Sequence, residues 1–235
     1  MRASLTFVAC GGLAIGAVAL ADANPAASVD VDQAKMKEMK MKTQGAMQEH
    51  KAWIDKNMQG WPEKTKEVAA VTIASYGPPQ SVGPELLAWG KSGPWKRILL
   101  HREEVQHKFP MPHKDVLQQF VNFEVPSDKF DELAKYDGSV VAERTVGELS
   151  ARCDKEEANF LAINLAADVA EGRKSVDQAR DYYANAIKGM LAGKMDPYLK
   201  GLRIQTQGSE AGDTDEARFA NPMMPKVMGR RPTTP

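Results

Sequence analysis

Hydrophobic and polar positions recur with two different periods along this chain, and the changes between them predict where helices and strands lie. Val68, Val71 and Ala74 recur at a spacing of three residues, which predicts a helix over residues 63–76. The run Gly77-Pro78-Pro79 ends this helix, because glycine and proline are the residues that most often stop one.

Two more helices are predicted, one before and one after residue 173. Residues 154–171 carry apolar side chains over most of the helical circumference, which predicts a helix that is largely buried. Gly172 supplies its C-terminal stop. Ser175 and Gln178 then form a capping-box pattern, and the amphipathic stripe behind them predicts a helix that reaches about Ala192.

The middle of the chain favours strands. Leu86–Trp89 and Trp95–Val105 flank a loop that contains glycine and proline, which is the pattern of a β-hairpin. Leu117–Val125 alternates between apolar and polar residues and predicts a strand. A further strand is predicted over Val140–Arg152, with a bend at Gly147.

Together these elements predict an α+β fold, an antiparallel sheet covered by helices, in a single domain of residues 63–204. Residues 24–62 hold a short leader and an N-terminal helix rich in Met and Lys. Residues 205–235 have no periodicity and are rich in Gly, Ser, Thr, Asp, Pro and Arg. That composition predicts a disordered tail.

Residues 1–23 have the pattern of a secretory signal peptide. The run Leu5–Leu20 is uncharged, and Ala21 and Ala23 supply the small residues that a signal peptidase reads. A membrane anchor is the alternative, but the run is short for one and glycines interrupt it. Lipidation of Cys10 would leave a still shorter apolar run. We therefore expect a periplasmic or secreted protein with no stable membrane insertion after signal cleavage.

The charge balance and the cysteine content exclude some kinds of function and of stabilising bond. Lys+Arg and Asp+Glu each number 31 of the 235 residues, which argues against a nucleic-acid partner. After signal cleavage the chain would keep one cysteine, Cys153, so the fold would form without an internal disulfide. We expect this thiol to be a small buried hydrophobic group rather than a reactive nucleophile.

Residues 32–58 combine methionine with lysine and glutamine, which favour helix, but their apolar positions follow no clear period. This pattern predicts an exposed helix that binds a protein or peptide partner, since Met side chains adapt to varied surfaces. The residues assigned to this contact are Met36, Met39 and Met41. Copper(I) binding by the thioethers is one alternative. The other is that Trp53 and Trp61 anchor the helix on the sheet.

Three of the four histidines lie close together in sequence: His101, His107 and His113. Neutral imidazole is a common ligand of zinc and copper. His107 and His113 bracket a loop that holds two prolines, which would stiffen it and hold both rings toward one point. Met111 between them would suit copper better than zinc. The six-residue spacing matches no compact ligand motif, so ordinary surface histidines are the alternative.

Three polar residues interrupt the apolar helix 154–171, namely Asn159, Asn164 and Asp168. Buried polar groups need hydrogen-bond partners, so these residues predict a structural network with nearby arginines. A thiol-based or acid–base site near Cys153 is the alternative. The sequence contains no nucleophile elbow, paired-cysteine motif or phosphate-binding glycine loop to support an enzyme.

Two resemblances add to this interpretation. The predicted helix, followed by Tyr76-Gly77-Pro78-Pro79 and a strand that ends in Trp89, resembles secreted α+β modules of the PepSY or outer-membrane-lipoprotein-assembly type. That resemblance implies peptide or protein binding without catalysis. The segments Gly93–Arg97, His107–His113 and Gly147–Asp154 are similar to a family of secreted bacterial proteins, which implies a shared fold and location but no activity.

The sequence thus favours a secreted or periplasmic protein that binds a ligand or partner and catalyses no reaction. The alternative is a metal-handling protein of the same compartment that uses copper or zinc. A small hydrolase or thiol enzyme is the third possibility.

The signal-peptide pattern generates a direct prediction about the mature chain. Because Ala21-Asp22-Ala23 supplies the cleavage pattern, the protein isolated from its native host should begin at Asn24 or within a few residues of it. Intact-mass spectrometry checks this start, and a chain that retains Met1 would overturn it.

Overall fold

The computed structural model describes residues 48–206 and 215–219 without gaps, together with Glu38, Lys42 and Gly45. The predicted signal segment, the methionines Met36, Met39 and Met41, and most of the predicted tail lie outside the described residues. The chain divides after Ala46 into two compact units. In the first, Glu38, Lys42 and Gly45 are helical, and Lys42 pairs with Glu38 at 2.7 Å. All other features belong to the second.

The described residues form five helices and six strands. The helices are α1 (48–57), α2 (Glu63–Tyr76), α3 (Phe130–Tyr136), α4 (Glu156–Ala170) and α5 (Val176–Leu191). The strands are β1 (Ser81–Val82), β2 (Leu86–Trp89), β3 (Arg97–His107), β4 (His113–Asn122), β5 (Val140–Glu143) and β6 (Glu148–Cys153). None of the described helices is both long enough and apolar enough to cross a membrane.

The strands form one antiparallel sheet in the order β1-β2-β3-β4-β6-β5, so the predicted α+β fold is confirmed. The long hairpin β3–β4 lies at its centre. Leu100 pairs with Leu117, but the next pair is Val105 with Asp115, so β3 carries a bulge between them. A bulge bends a strand and turns the side chains that follow it to new positions.

The prediction of one strand over Val140–Arg152 is wrong. The segment forms two strands, β5 and β6, which pair with each other through a turn over residues 144–147. Gly147 has φ +65°, a left-handed conformation that suits glycine and closes a tight turn. The residue therefore reverses the chain rather than bending it. The strand predicted over Leu117–Val125 begins earlier, at His113.

Helix α4 forms the centre of the core. Every residue from 158 to 170 is buried, and Leu161, Ile163 and Leu165 have no exposed surface, which confirms the predicted burial. A helix buried on all sides needs neighbours on all sides. Helix α4 contacts α3 and α5 as well as β4, β5 and β6.

The C-terminal part of the Met-rich segment packs on the domain. Ile54, Met58 and Trp61 are 6%, 0% and 5% exposed and belong to the same core cluster. Trp53 is half-buried against this cluster. The expectation of an exposed helix therefore does not hold for residues 48–58, where the bulky side chains anchor α1.

One carboxylate joins α4 to three other parts of the domain. Oε1 of Glu156 accepts hydrogen bonds from the Tyr76 hydroxyl of α2 at 2.6 Å and from the Trp95 indole of the β2–β3 loop at 2.6 Å. The Gln119 amide of β4 donates to the same oxygen at 2.8 Å. Burial and the bond to Glu156 raise the pKa of the Tyr76 hydroxyl well above its usual value. The phenol therefore stays protonated and donates throughout the neutral range.

Truncation of Leu161 tests the central position of α4. Leu161→Ala should lower the free energy of unfolding by about 2–5 kcal/mol, because a fully buried leucine leaves a cavity. Val71→Ala is the control, since Val71 is 67% exposed and its truncation should cost less than about 0.5 kcal/mol. Denaturant titration measures both values. A cost for Leu161→Ala near that of the control would contradict the assignment.

Candidate metal centre

His107 and His113 face each other at the end of the central hairpin. His107 is the last residue of β3, His113 is the first of β4, and the two are cross-strand partners. Side chains of such a pair project from the same face of the sheet, and here the ring centroids are 5.0 Å apart. Asp115 lies two positions further along β4 and projects from the same face. One ligand atom from each of the three residues lies within 4.8 Å of the other two.

Asp115 is the buried centre of this group, with 1% of its surface exposed. Its Oδ2 atom accepts a hydrogen bond from the Ser139 hydroxyl and lies 3.3 Å from Nδ1 of His107. Its Oδ1 atom is enclosed and accepts no well-aligned hydrogen bond, although Nε2 of His113 lies 2.9 Å away. A buried carboxylate needs a compensating positive charge, which either a protonated His113 or a bound cation would supply.

Each imidazole has one nitrogen near an outer partner and the other turned toward Asp115. Nδ1 of His113 lies 2.8 Å from the carbonyl oxygen of Met111 and must donate to it, because a carbonyl only accepts. Nε2 of His113 is thus the atom that faces Asp115. Nε2 of His107 lies 3.5 Å from Oδ1 of Asp137, which leaves Nδ1 toward Asp115.

The charges of the group favour a paired imidazolium when no ion is bound. Burial alone would lower the pKa of His113, but Asp115, the Cys153 side chain and the Met111 carbonyl outweigh it and raise the pKa to about 11. Burial raises the pKa of Asp137, against the opposing effects of the Ser139 amide and His107. At neutral pH, His113 is therefore protonated and paired with Asp115.

Cys153 lies beside His113 but lacks the character of a nucleophile. It is 6% exposed, and burial raises the pKa of its thiol in spite of the opposing effect of His113. The thiolate is the reactive form of cysteine, so a thiol held protonated reacts slowly. This environment fits the expected structural role of Cys153.

His101 does not join His107 and His113. It is half-buried earlier on β3, where its Nε2 lies 3.0 Å from the side-chain oxygen of Gln118. His101 lies at the start of the bulge between Leu100 and Val105, so the shift in register falls between it and the end of β3 that carries His107. Met111, also considered as a ligand, contributes its carbonyl to His113 and leaves its side chain 46% exposed.

Sequence reasoning missed Asp115, Asp137 and Ser139. The signal for Asp115 was present, because His113-Lys114-Asp115 places a histidine and a carboxylate on one face of a strand. The predicted strand began at Leu117, so the alternation was not applied to these residues. Asp137 and Ser139 lie between α3 and β5, and only the tertiary structure brings them to the hairpin.

The polar residues of α4 form a structural network. Nδ2 of Asn164 donates to the carbonyls of Tyr198 and Gly201, and its Oδ1 accepts from the Arg203 amide at 2.7 Å. Asp168 accepts hydrogen bonds from Arg173 and Lys174 at 2.7 Å and from the Tyr198 hydroxyl at 3.1 Å. These bonds fasten the segment after α5 to the buried helix.

Asn159 belongs to the same helix and bonds to the sheet. Its Nδ2 atom donates to the Leu117 carbonyl at 3.0 Å and to the Gln119 side chain at 2.8 Å. The three polar positions therefore connect α4 to its neighbours, as the structural interpretation of the sequence expected.

The Asp168 network should make stability depend on pH. Burial alone would raise the pKa of Asp168, but hydrogen bonds from Lys174 and Arg173 hold it below its usual value. A depressed carboxylate pKa stabilises the fold above the unfolded pKa, and the contribution is lost as pH falls through the folded pKa. Asp168→Asn should therefore melt below the wild type at neutral pH, with a gap that narrows between about pH 5 and pH 2.

Thermal melts at a series of pH values measure this gap. Asp181→Asn on α5 is the control, because Asp181 is exposed and the substitution should leave the melting temperature within about 2 °C at every pH. A gap for Asp168→Asn that stays constant down to pH 2 would show that its charge is not the source.

Within the described residues, His107, His113 and Asp115 are the group of histidine and carboxylate side chains close enough together to hold an ion. Both rings are mostly covered, with 19% of the His107 side chain and 14% of the His113 side chain exposed. The site is therefore near the surface but largely shielded from water.

The chain matches no protein-family model, no curated protein and no solved structure.

Proposed function

We propose that the protein binds a divalent transition-metal ion, with zinc as the preferred ion, through His107, His113 and Asp115. The observation that carries this proposal is the approach of three ligand atoms to within 4.8 Å around the buried carboxylate of Asp115. An ion among Nδ1 of His107, Nε2 of His113 and Oδ1 of Asp115 would displace the proton from Nε2 of His113 and take its place beside the carboxylate.

The outer partners of these side chains support a metal site. Histidines that bind metals usually donate their other ring N–H to a carboxylate or a backbone carbonyl, which fixes the ring and its tautomer. His113 has the Met111 carbonyl at 2.8 Å in this position, and Asp137 lies 3.5 Å from the corresponding nitrogen of His107, close enough to accept a hydrogen bond once an ion fixes the ring. The Ser139 hydroxyl holds the second oxygen of Asp115. Each of the three proposed ligands thus has an orienting partner.

The donor types favour zinc over copper(I). Imidazole nitrogen and carboxylate oxygen are ordinary zinc ligands, whereas copper(I) prefers thiolates and thioethers. Copper(II) also accepts imidazole and carboxylate and is the competing ion. Three protein ligands would leave the fourth position of a tetrahedral zinc ion open. In zinc sites of this kind, water or a bound molecule fills that position.

The proposed location is the periplasm or the extracellular space. The signal-peptide pattern of residues 1–23 supports it. A fold that contains no disulfide among its described residues can also form before or after export. The function we propose is therefore metal handling outside the cytoplasm.

Zinc titration of the full chain tests the proposal. One zinc ion should bind per chain, and His107→Ala should weaken binding by at least about tenfold because it removes a ligand. Asp137→Asn should weaken binding by about 10–100-fold through the orientation of His107. Isothermal titration calorimetry, with copper(II) as a second ion, measures these affinities.

His101→Ala is the matched control, because His101 is a half-buried histidine of the same strand outside the group. Its zinc affinity should equal that of the wild type. Far-ultraviolet circular dichroism confirms that each variant is folded. Equal losses in His101→Ala and His107→Ala, or no zinc binding by the wild type, would refute the proposal.

A further inference from the structure

A cavity of about 280 Å³ lies beside the candidate metal centre, between the β3–β4 loop and the helices α4 and α5. Its wall is mainly apolar. Met111 and Pro112 of the loop form one side, and Tyr183, Ile187 and Met190 of α5 form the other. His113 lines the cavity as well as belonging to the metal group.

Contacts between Phe109 and helix α5 hold the loop side of the cavity in place. The Phe109 ring packs against Tyr183 with centroids 5.2 Å apart, and the Arg180 guanidinium lies 3.9 Å above the Phe109 ring. Both partners belong to α5, so the loop and the helix that face each other across the cavity are fastened together. Ligand cavities in proteins are usually preformed in this way.

The mouth of the cavity exposes apolar side chains to water. Met111 of the loop is 46% exposed, and Leu191 at the end of α5 is 66% exposed. Both are among the large apolar side chains that stay uncovered in the described part of the chain. Exposed apolar groups around a concave surface are typical of a ligand site.

The polar part of the lining carries excess positive charge. Three lysines, Lys64, Lys114 and Lys155, stand against one carboxylate, Asp154. Asp154 lies 3.3 Å from Lys64 and 4.0 Å from Lys155, so it is shared between two of them. Lys64 also lies 3.6 Å from Glu67, a carboxylate outside the lining, so the remaining excess is about one positive charge. Lys114 forms no ion pair within the described part of the chain. An anionic group at this rim would be complementary to the cavity.

We propose that this cavity binds a small amphipathic carboxylate, with its apolar body along α5 and its carboxylate at the lysines. Since one water occupies about 30 Å³ of liquid, the volume admits a ligand of on the order of ten non-hydrogen atoms. Octanoate has that size and that division into an apolar chain and an anionic head. This site goes beyond metal binding and does not require the ion.

Nuclear magnetic resonance of the full chain, with methyl-labelled methionine, tests the proposal with octanoate as the probe. The methyl signals of Met111 and Met190 should shift saturably. Met195 is the internal control, because it is 46% exposed like Met111 but lies outside the lining. Octanol should bind about fivefold more weakly or worse, since it lacks the charge that meets the lysines.

Two variants with matched exposure locate the site. Leu191→Glu puts a negative charge at the mouth and should weaken octanoate binding by at least about tenfold through like-charge repulsion. Val71→Glu on α2 is the control, because Val71 is 67% exposed and outside the lining, and its octanoate affinity should match that of the wild type. Both positions are exposed, so neither substitution should disturb the core.

The outcomes separate this proposal from the metal site. Octanoate shifts that persist in His107→Ala without zinc support the cavity even if zinc binding fails. Absence of saturable shifts at Met111 and Met190, or equal binding of octanol and octanoate, refutes the carboxylate site even if zinc binds. Concentration-dependent dimerisation that Leu191→Glu abolishes, with no octanoate binding, would instead assign the surface to a second copy of the chain.

Discussion

Hydrogen bonds to Glu156 join the buried helix α4 to α2, to the β2–β3 loop and to the central strand β4. The Oε1 atom of Glu156 accepts from Tyr76, Trp95 and Gln119, three side chains from separate elements. Hydrogen bonds to a carboxylate are about twice as strong as neutral ones, and the N-terminal turn of a helix favours a negative charge. Trp95 and Gln119 are 1% and 0% exposed, so loss of the carboxylate would leave buried donors without an acceptor. The Trp95 ring also stacks on Phe160 of α4 at 4.7 Å.

The geometry of the candidate metal centre depends on this arrangement, because β4 carries both Gln119 and Asp115. Glu156 and Asn159 both bond to Gln119, and Asn159 also bonds to the Leu117 carbonyl, so α4 fixes the position of this strand. Asp115 lies on the same strand and the same face. A slip of β4 by one residue would turn Asp115 away from His107 and Ser139. The contacts that hold the core in register therefore also hold the Asp115 carboxylate beside His107 and His113.

The sequence predicted what depends on local patterns and missed what depends on distant contacts. The limits of α2 and the capping box of α5 agree with the structure, because spacing and caps act within a few residues. The reversal at Gly147 was missed, since a turn and a bend leave the same local signal. At the candidate metal centre, the loop between His107 and His113 suggested that these two residues lie close together. The sequence did not predict the bulge that separates His101 from them, because it arises from the pairing of β3 with β4. The Asp137 contact also depends on how α3 and β5 pack.

The two edges of the sheet affect how native molecules behave toward each other. The edge strand β1 has only two residues, so it offers a neighbouring chain few free backbone donors and acceptors. The opposite edge, β5, has four residues and ends in the exposed Glu143, whose charge disfavours close approach of a second, identical strand. Both edges of the described sheet thus offer a second chain only a short stretch of backbone to pair with.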